Sequence, residues 1–262
     1  MKKNLIATFL VFTLFACKQN PKSPVAEAST TEQVTPTFEI DSVKVNDSIE
    51  ISKTLTIQFE KQLLVFPSIK DPVLLDSIYQ PTQTKTQAFD KKTLQESLNL
   101  EMKDSFDKAK KDDYSWGPEF KQTWYENSAM KVKSRTDDFL TLSYIIDGYS
   151  GGAHGFYGEN YKVFDLKSNK VLQQNDIFKN TKDKKWSEFL KNHFNNKDQK
   201  EMLLVDVIPL NNNFYFDDKQ ITFVYNQYEI TAYAAGVVEI TIPFSELKED
   251  LTDEFAKRMH LK

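Results

Sequence analysis

Residues 138–165 read DFLTLSYIIDGYSGGAHGFYGENYKVFD, and this stretch contains the clearest structural pattern in the chain. Over 138–147 the apolar side chains fall on every second residue, at Leu140, Leu142, Tyr144 and Ile146. A period of two predicts a strand there, and Tyr161–Asp165 predicts another. Between the two strands lie five glycines, at positions 148, 151, 152, 155 and 158, so we expect a glycine-rich loop to connect them.

Outward from this stretch, similar alternation predicts strands near 51–60 and over 120–133, 221–225 and 238–242. Helical periodicity predicts a helix over about 91–111, with a capping box formed by Thr93 and Glu96. A second amphipathic helix is predicted through Trp186–Phe194, and a third is predicted to begin at Pro243. Because several strands follow one another directly, we predict an α+β fold with a mainly antiparallel sheet and about three helices.

The first residues have the pattern of an export signal. Lys2 and Lys3 are basic, the run Leu5–Phe15 is largely apolar, and the small Ala16 precedes Cys17. The segment Leu14-Phe15-Ala16-Cys17 resembles the lipobox of bacterial lipoproteins. We therefore predict a lipoprotein signal peptide at 1–16 and a membrane-anchoring lipid, such as palmitate, on Cys17. The alternative is an ordinary secretory signal with an incidental cysteine.

Residues 17–37 are predicted to form a disordered tether. Proline, serine, threonine and small residues dominate this segment, and no apolar residue recurs at a regular period. Cys17 is the single cysteine of the chain, so we expect no disulfide in the folded part.

The charge of the chain argues against nucleic acid as a partner. The 262 residues include 34 Lys and Arg against 38 Asp and Glu, a net charge of −4. Nucleic-acid binding favours a basic surface. A mild negative balance is compatible with a basic protein partner.

The glycine-rich loop contains a pattern known from hydrolases. Gly148-Tyr149-Ser150-Gly151-Gly152 matches G-x-S-x-G, in which a sharp strand-to-helix turn exposes a nucleophilic serine. The residues after this pattern show no helical period, so the motif lacks its usual setting. An envelope hydrolase that uses Ser150 and His154 remains an alternative, and our main prediction is that the chain is not an enzyme.

His154 has a metal interpretation and a structural one. Asp147 and Glu159 are the acidic neighbours that a metal site would use, but zinc usually requires three or four ligands at regular spacing. We therefore expect His154 to hydrogen-bond the local backbone and to fix the loop, with no metal and no cofactor in the chain.

Aromatic side chains flank both the loop and a later pair of strands. Such residues serve in cores and also in contacts with proteins or glycans. The candidate binding or loop-structuring residues are Tyr149, Gly151, Gly152, His154, Gly155, Tyr225, Tyr228 and Tyr233.

Two groups of short motifs resemble a known family. The first comprises Leu140–Tyr144, Tyr149–Gly155, Phe164–Leu166 and Asp176–Phe178. The second comprises Phe214–Phe216, Phe223–Ile230, Tyr233–Gly236 and Ile242–Leu247. Together they resemble the extracytoplasmic domain of unknown function 3298. More weakly, residues 40–115 resemble the companion domain that often precedes it.

This resemblance implies an α+β fold with two intimately packed lobes, which we place at 38–118 and 119–262. The family includes the sensor regions of lysozyme-sensing anti-sigma factors and regions that precede peptidoglycan deacetylase domains. This sequence shows neither a membrane-spanning segment for signalling nor a metal-dependent deacetylase domain. What the resemblance implies here is therefore binding at the cell envelope, with lysozyme or peptidoglycan as the candidate ligand.

The resulting hypothesis is a lipid-anchored binding protein without catalytic activity. Lys18 follows Cys17, and no aspartate occupies that position, which by resemblance to Gram-negative sorting predicts the outer membrane. The tether has no acidic cluster just after the cysteine, of the kind that resembles surface-export signals in Bacteroidetes, so we expect the domain to face the periplasm. The alternatives are the hydrolase described above and a structural component of an outer-membrane assembly.

Overall fold

A six-stranded sheet forms the centre of the described chain, which comprises residues 38–114 and 117–261 of a computed structural model. The strands lie in the sheet in the order of the sequence. They are β1 (Asp41–Ser52), β2 (Leu55–Val65), β3 (Gln122–Arg135), β4 (Phe139–Tyr149), β5 (Phe156–Asp165) and β6 (Lys170–Val171). Between β2 and β3 the chain forms the helices α1 (Pro72–Tyr79) and α2 (Lys91–Ala109). This crossover makes β2 and β3 parallel, whereas the other neighbouring strands are antiparallel.

A smaller antiparallel sheet and four short helices follow. The strands are β7 (Phe214–Phe216), β8 (Gln220–Tyr225) and β9 (Val238–Pro243), and the helices are α3 (Gln174–Ile177), α4 (Lys185–His193), α5 (Lys197–Lys200) and α6 (Asp253–Arg258). The predicted α+β class with mainly antiparallel pairing is confirmed. Within the described residues three helices, α1, α2 and α4, have seven residues or more, in agreement with the predicted number.

Two hydrophobic cores lie in the described part of the chain, and β4 contributes to both. Leu140 and Leu142 pack in the core beneath α1 and α2, whereas Phe139 packs in the core around the smaller sheet. Successive side chains of a strand point to opposite faces, so a strand between two cores is buried on both. The predicted lobe boundary between 118 and 119 falls between α2 and β3, and the pairing of β2 with β3 continues the sheet across it.

The strand predicted at Tyr161–Asp165 begins earlier, at Phe156, and local boundaries differ from the predictions at three further places. The strand predicted near 51–60 is interrupted by a turn at Lys53 and Thr54, which separates β1 from β2. The helix α2 is capped by Asp90, whose carboxylate accepts from the backbone N–H groups of Lys92 and Thr93, so the predicted capping box is wrong.

The third difference concerns the helix predicted to begin at Pro243. Pro243 ends β9, a single 3₁₀ turn follows, and α6 begins only at Asp253. The intervening segment bonds to the chain around α3: the backbone N–H of Thr252 donates to the carbonyl of Ile177 at 2.8 Å, and that of Lys179 donates to the carbonyl of Asp250 at 2.9 Å. These tertiary hydrogen bonds compete with a continuous helix.

An ion pair attaches α6 to the six-stranded sheet. Arg258 donates to both carboxylate oxygens of the buried Asp165, at 2.5 and 3.0 Å. Its guanidinium also lies 4.4 Å from the ring centre of Phe139 and 3.4 Å from the carboxylate of Asp138. The C-terminal helix is thus held by bidentate and cation–π contacts at the junction of the two cores.

The predicted signal peptide, Cys17 and the tether at 17–37 lie outside the described residues. No helix among the described residues is both long and apolar enough to cross a bilayer.

Candidate functional site

A groove runs along the helix-bearing face of the six-stranded sheet, across β2 to β5. Residues paired across neighbouring strands place their side chains on this face in rows that run across the sheet. One row consists of Phe59, Glu126, Gly148 and Phe156, and the next consists of Lys61, Ser128, Ile146 and Gly158. These rows therefore combine large side chains with the small Ser128 and two glycines.

Phe156 lies across the floor of the groove. A Cβ atom on Gly148 would be 2.5 Å from the Phe156 ring, so the ring occupies the space that a side chain at position 148 would need. The Phe156 side chain nevertheless remains 50% exposed. Gly148 therefore makes room for an aromatic ring in the groove, and half of the Phe156 surface stays exposed to solvent.

One wall of the groove is fixed by an ion pair between Lys61 and Glu101. Lys61 Nζ lies 2.8 Å from Glu101 Oε2 and donates to the carbonyl of Thr82 at 2.8 Å. The second carboxylate oxygen of Glu101 accepts from the backbone N–H of Lys85 at 3.2 Å. Lys61 is buried, and its two bonds join β2 to α2 and to the turn after α1.

The other wall is held to β5 by amide side chains. Asn213 accepts from the backbone N–H of Tyr161 at 2.6 Å and donates to the carbonyl of Glu159 at 2.9 Å, as a neighbouring strand would. Asn226 and Gln227 accept from backbone N–H groups further along the same edge, at 2.7 and 3.0 Å. The segment that follows β8 thus docks beside the groove.

Two clefts make up the groove. The first has a volume of about 930 Å³ and lies between the turn after α1 and the segments around residues 209–213 and 229–230. The second, of about 780 Å³, lies between α2 and the start of β3 and includes Trp124, Tyr149 and Ser150 in its lining. The clefts share Phe59, Gln83, Glu101, Glu126 and Phe156. These shared residues join the two clefts into one continuous groove.

The predicted glycine-rich loop connects β4 to β5 and rests on Trp124. Gly151 has φ +91°, and a Cβ atom there would be 2.9 Å from Trp124 Cζ2. Gly152 has φ +90° and faces open space, whereas a Cβ on Gly155 would be 2.3 Å from the carbonyl oxygen of Gly148. The Tyr149 hydroxyl donates to the carbonyl of Gly152 at 3.1 Å and closes the loop.

His154, Tyr233 and Tyr228 form an exposed aromatic stack beside this loop. The rings of His154 and Tyr233 are stacked with their centres 3.8 Å apart, and Tyr228 lies 5.8 Å from Tyr233. Both His154 Nδ1 and the Tyr233 hydroxyl lie 2.9 Å from the carbonyl oxygen of Gly155. The loop and the Tyr225–Tyr233 segment therefore meet, but they meet at this stack rather than around either cleft.

Tyr225 differs from the other candidate tyrosines because it is buried. Its hydroxyl donates to the carbonyl of Pro209 at 2.7 Å, and burial raises its pKa well above the usual range. Its ring belongs to the core of the smaller sheet while one side borders the first cleft. Tyr225 supports the wall of the groove.

Ser150 and His154 are not arranged as a nucleophile and its base. Ser150 lies in a hairpin loop between two strands, and among the described residues no hydrogen bond joins its side chain to a histidine. The imidazole Nδ1 of His154 is bonded to the backbone instead. Within the same described residues, no group of three His, Cys, Asp or Glu side chains is placed to hold a metal ion.

Most residues of the groove carry no recognisable signal in the sequence. Lys61, Glu101 and Lys162 are charged residues in regular strands and a helix, where charge usually indicates a solvated face. A lysine at an inward position of β2, between the apolar Phe59 and Leu63, was the one available signal.

Comparison with known proteins finds a family match over one segment and a shared fold. Residues 175–245 match the family described as "Protein of unknown function (DUF3298)", so the resemblance predicted from the sequence is confirmed over this segment. The glycine-rich loop and the companion region at 40–115 lie outside it. No curated protein matches the chain.

Solved structures of two proteins share the architecture. A member of the DUF3298 family from Bacteroides fragilis is 22% identical, with a TM-score of 0.68 over 86% of this chain and 98% of that one. A DUF3298 family protein from Pseudomonas aeruginosa is 16% identical, with a TM-score of 0.56 over 84% of this chain and 97% of that one. At these identities the likeness shows the fold.

Proposed function

We propose that this chain is a non-catalytic binding protein of the bacterial cell envelope, anchored by lipid at Cys17, and that its groove binds a peptidoglycan fragment. The observation that carries the proposal is the continuous groove, with an open aromatic ring on its floor and polar side chains along its walls. Concave sites that combine aromatic area with a few convergent polar groups are the usual binding sites of proteins.

The dimensions and chemistry of the groove suit a disaccharide with an attached peptide. Lys162 follows Phe156 by six positions along β5, a distance of about 20 Å. The half-exposed ring of Phe156 and the ring of Tyr149 offer apolar surface to the C–H groups of sugar rings. The amides of Gln80 and Gln83 can bond hydroxyl and acetamido groups in the neighbouring cleft.

Lysozyme is the second candidate ligand, because the chain is acidic and lysozyme is a basic protein. Complementary charge would accelerate their association, most strongly at low salt. A protein ligand would engage exposed side chains outside the groove, such as the stack of His154, Tyr228 and Tyr233. Binding of lysozyme that is unaffected by obstruction of the groove would therefore favour this second candidate.

Obstruction of the groove tests the main proposal. Ser128→Phe places a large ring on the floor between Lys61 and Ile146, and we expect the affinity for a disaccharide–tetrapeptide muropeptide to fall about tenfold or more. The measurement is isothermal titration calorimetry on the full chain in detergent. Thr123→Phe adds the same ring to β3 on the opposite face and serves as the control. Equal affinities for the two variants, at equal thermal stability, would exclude the groove as the binding site.

The anchor has a separate test. Cys17→Ser removes the only thiol that can be acylated, so we expect the variant to leave the membrane fraction and to lose metabolic labelling with palmitate. Fractionation of cells that express either chain provides the measurement. A variant that still sediments with outer membranes and is still labelled would contradict the lipid anchor.

A further inference from the structure

Among the residues that the structure describes, Lys162 is the lysine of the first cleft that forms no ion pair. It extends from β5 into the first cleft, where its Nζ donates to the neutral Gln80 Oε1 at 3.1 Å. Lys61, in the lining of the same cleft, is paired with Glu101. Of the ion pairs formed among residues 38–114 and 117–261, none includes Lys162.

An ammonium group in this position has unused binding capacity. It carries three N–H donors, and Gln80 accepts from one of them. Its side chain is partly buried, and this burial lowers the pKa of Lys162, because the loss of surrounding water disfavours the charged form. A ligand carboxylate would replace the lost hydration with a charge-assisted hydrogen bond.

The acidic residues of the cleft do not supply this carboxylate. Glu101 is held by Lys61, and Glu229 Oε2 accepts from the backbone N–H of Asn226 at 3.1 Å on the opposite wall. Glu126 lies in the row of Phe156, about 20 Å along the sheet from Lys162. The cleft thus has a cationic end and an acidic end.

We propose that Lys162 binds a carboxylate of the ligand, and that the first cleft takes a peptide bearing free carboxylates. The inference rests on the proposed function and gives the ligand a direction in the groove. The sugars lie near Phe156 and Tyr149, and the peptide extends toward Lys162.

The test uses the full chain in detergent and two pairs of probes, with Lys162→Met as the variant. The first pair is a disaccharide–tetrapeptide muropeptide and the same molecule with its carboxyl groups converted to amides. The second pair is acetyl-alanyl-alanine and its amide. Lys131→Met removes the same charge from the opposite face of the sheet and is the matched control.

We expect the native chain and Lys131→Met to bind each carboxylate probe about tenfold more tightly than its amide, and Lys162→Met to lose this preference. Equal affinity of the native chain for muropeptide and amide would overturn the role of Lys162 and leave binding in the groove intact. A preference retained in Lys162→Met would overturn it as well. If neither muropeptide form binds but the dipeptide carboxylate does so through Lys162, the proposed function fails and the carboxylate site stands. If none of the four probes binds, both fail.

Discussion

Arg258→Ala is expected to lower the free energy of unfolding by about 3 kcal/mol, because it leaves a buried carboxylate without its cation. Asp165 is 1% exposed and would keep the bonds from the backbone N–H groups of Lys167 and Ser168 and from the Ser168 hydroxyl. The cation–π contact with Phe139 would also disappear. Denaturation by urea, followed by circular dichroism, measures the loss.

Two further substitutions in α6 test whether the ion pair accounts for this loss of stability. Arg258→Lys keeps the charge but cannot donate in parallel to both oxygens, so we expect an intermediate loss. Lys257→Ala removes an exposed cation from the adjacent position and should change stability by less than about 0.5 kcal/mol. If Arg258→Ala is as stable as Lys257→Ala, the ion pair does not hold the helix.

The same ion pair predicts a dependence of stability on pH. Burial alone would raise the pKa of Asp165, but the hydrogen bonds from Arg258 and Ser168 outweigh it and hold this pKa well below its usual range. A carboxylate with a lowered pKa in the folded state contributes stability above its unfolded pKa of about 4, and this contribution is lost as the pH falls toward the folded pKa. We therefore expect the stability advantage of the native chain over Asp165→Asn to be constant above about pH 5 and to shrink below it. A difference that does not change down to pH 2 would contradict the lowered pKa.

The sequence predicted those elements whose signals are local. The β4–β5 hairpin and α2 follow from apolar periods that are complete within about 20 residues of sequence. The break between Pro243 and α6 could not be predicted in this way, because it depends on hydrogen bonds to residues around 177, far away in the chain. Apolar periodicity shows which face of a helix or strand is buried. It does not show whether a distant segment will take the backbone hydrogen bonds that would continue the helix.

The groove was beyond prediction for a similar reason. Its central row places Phe59, Glu126 and Gly148 side by side only after β2 and β3 have paired in parallel. Lys162 and Gln80 are 82 residues apart, and neither lies in a recognisable motif. A single sequence carries no signal for contacts of this kind, whereas the glycine cluster is conspicuous because it is local.

The glycines themselves have two different roles that composition cannot separate. A cluster of five glycines suggests backbone conformations unfavourable for other residues, but of the five only Gly151 and Gly152 have positive φ. Gly148, Gly155 and Gly158 have ordinary backbone angles and instead leave room for a neighbouring group. The loop therefore combines a left-handed turn with close packing at its base.

A comparison of Gly155→Ala with Gly152→Ala separates these roles. The new Cβ of Gly155→Ala would lie 2.3 Å from the carbonyl oxygen of Gly148, a backbone atom that cannot rotate away. We expect the base of the hairpin to shift and the free energy of unfolding to fall by about 2–3 kcal/mol. The new Cβ of Gly152→Ala has no atom within 4 Å. We expect this variant to lose only about 1 kcal/mol of its free energy of unfolding, because alanine disfavours a φ of +90°.

The two variants should also differ in the groove. A shift at Gly155 moves Phe156, the next residue, so Gly155→Ala should weaken muropeptide binding while Gly152→Ala leaves it unchanged. Urea denaturation and calorimetry on the same preparations provide both values. Equal losses of stability would show that φ rather than packing governs the loop. Unchanged binding in Gly155→Ala would mean that the position of the Phe156 ring does not depend on the base of the hairpin.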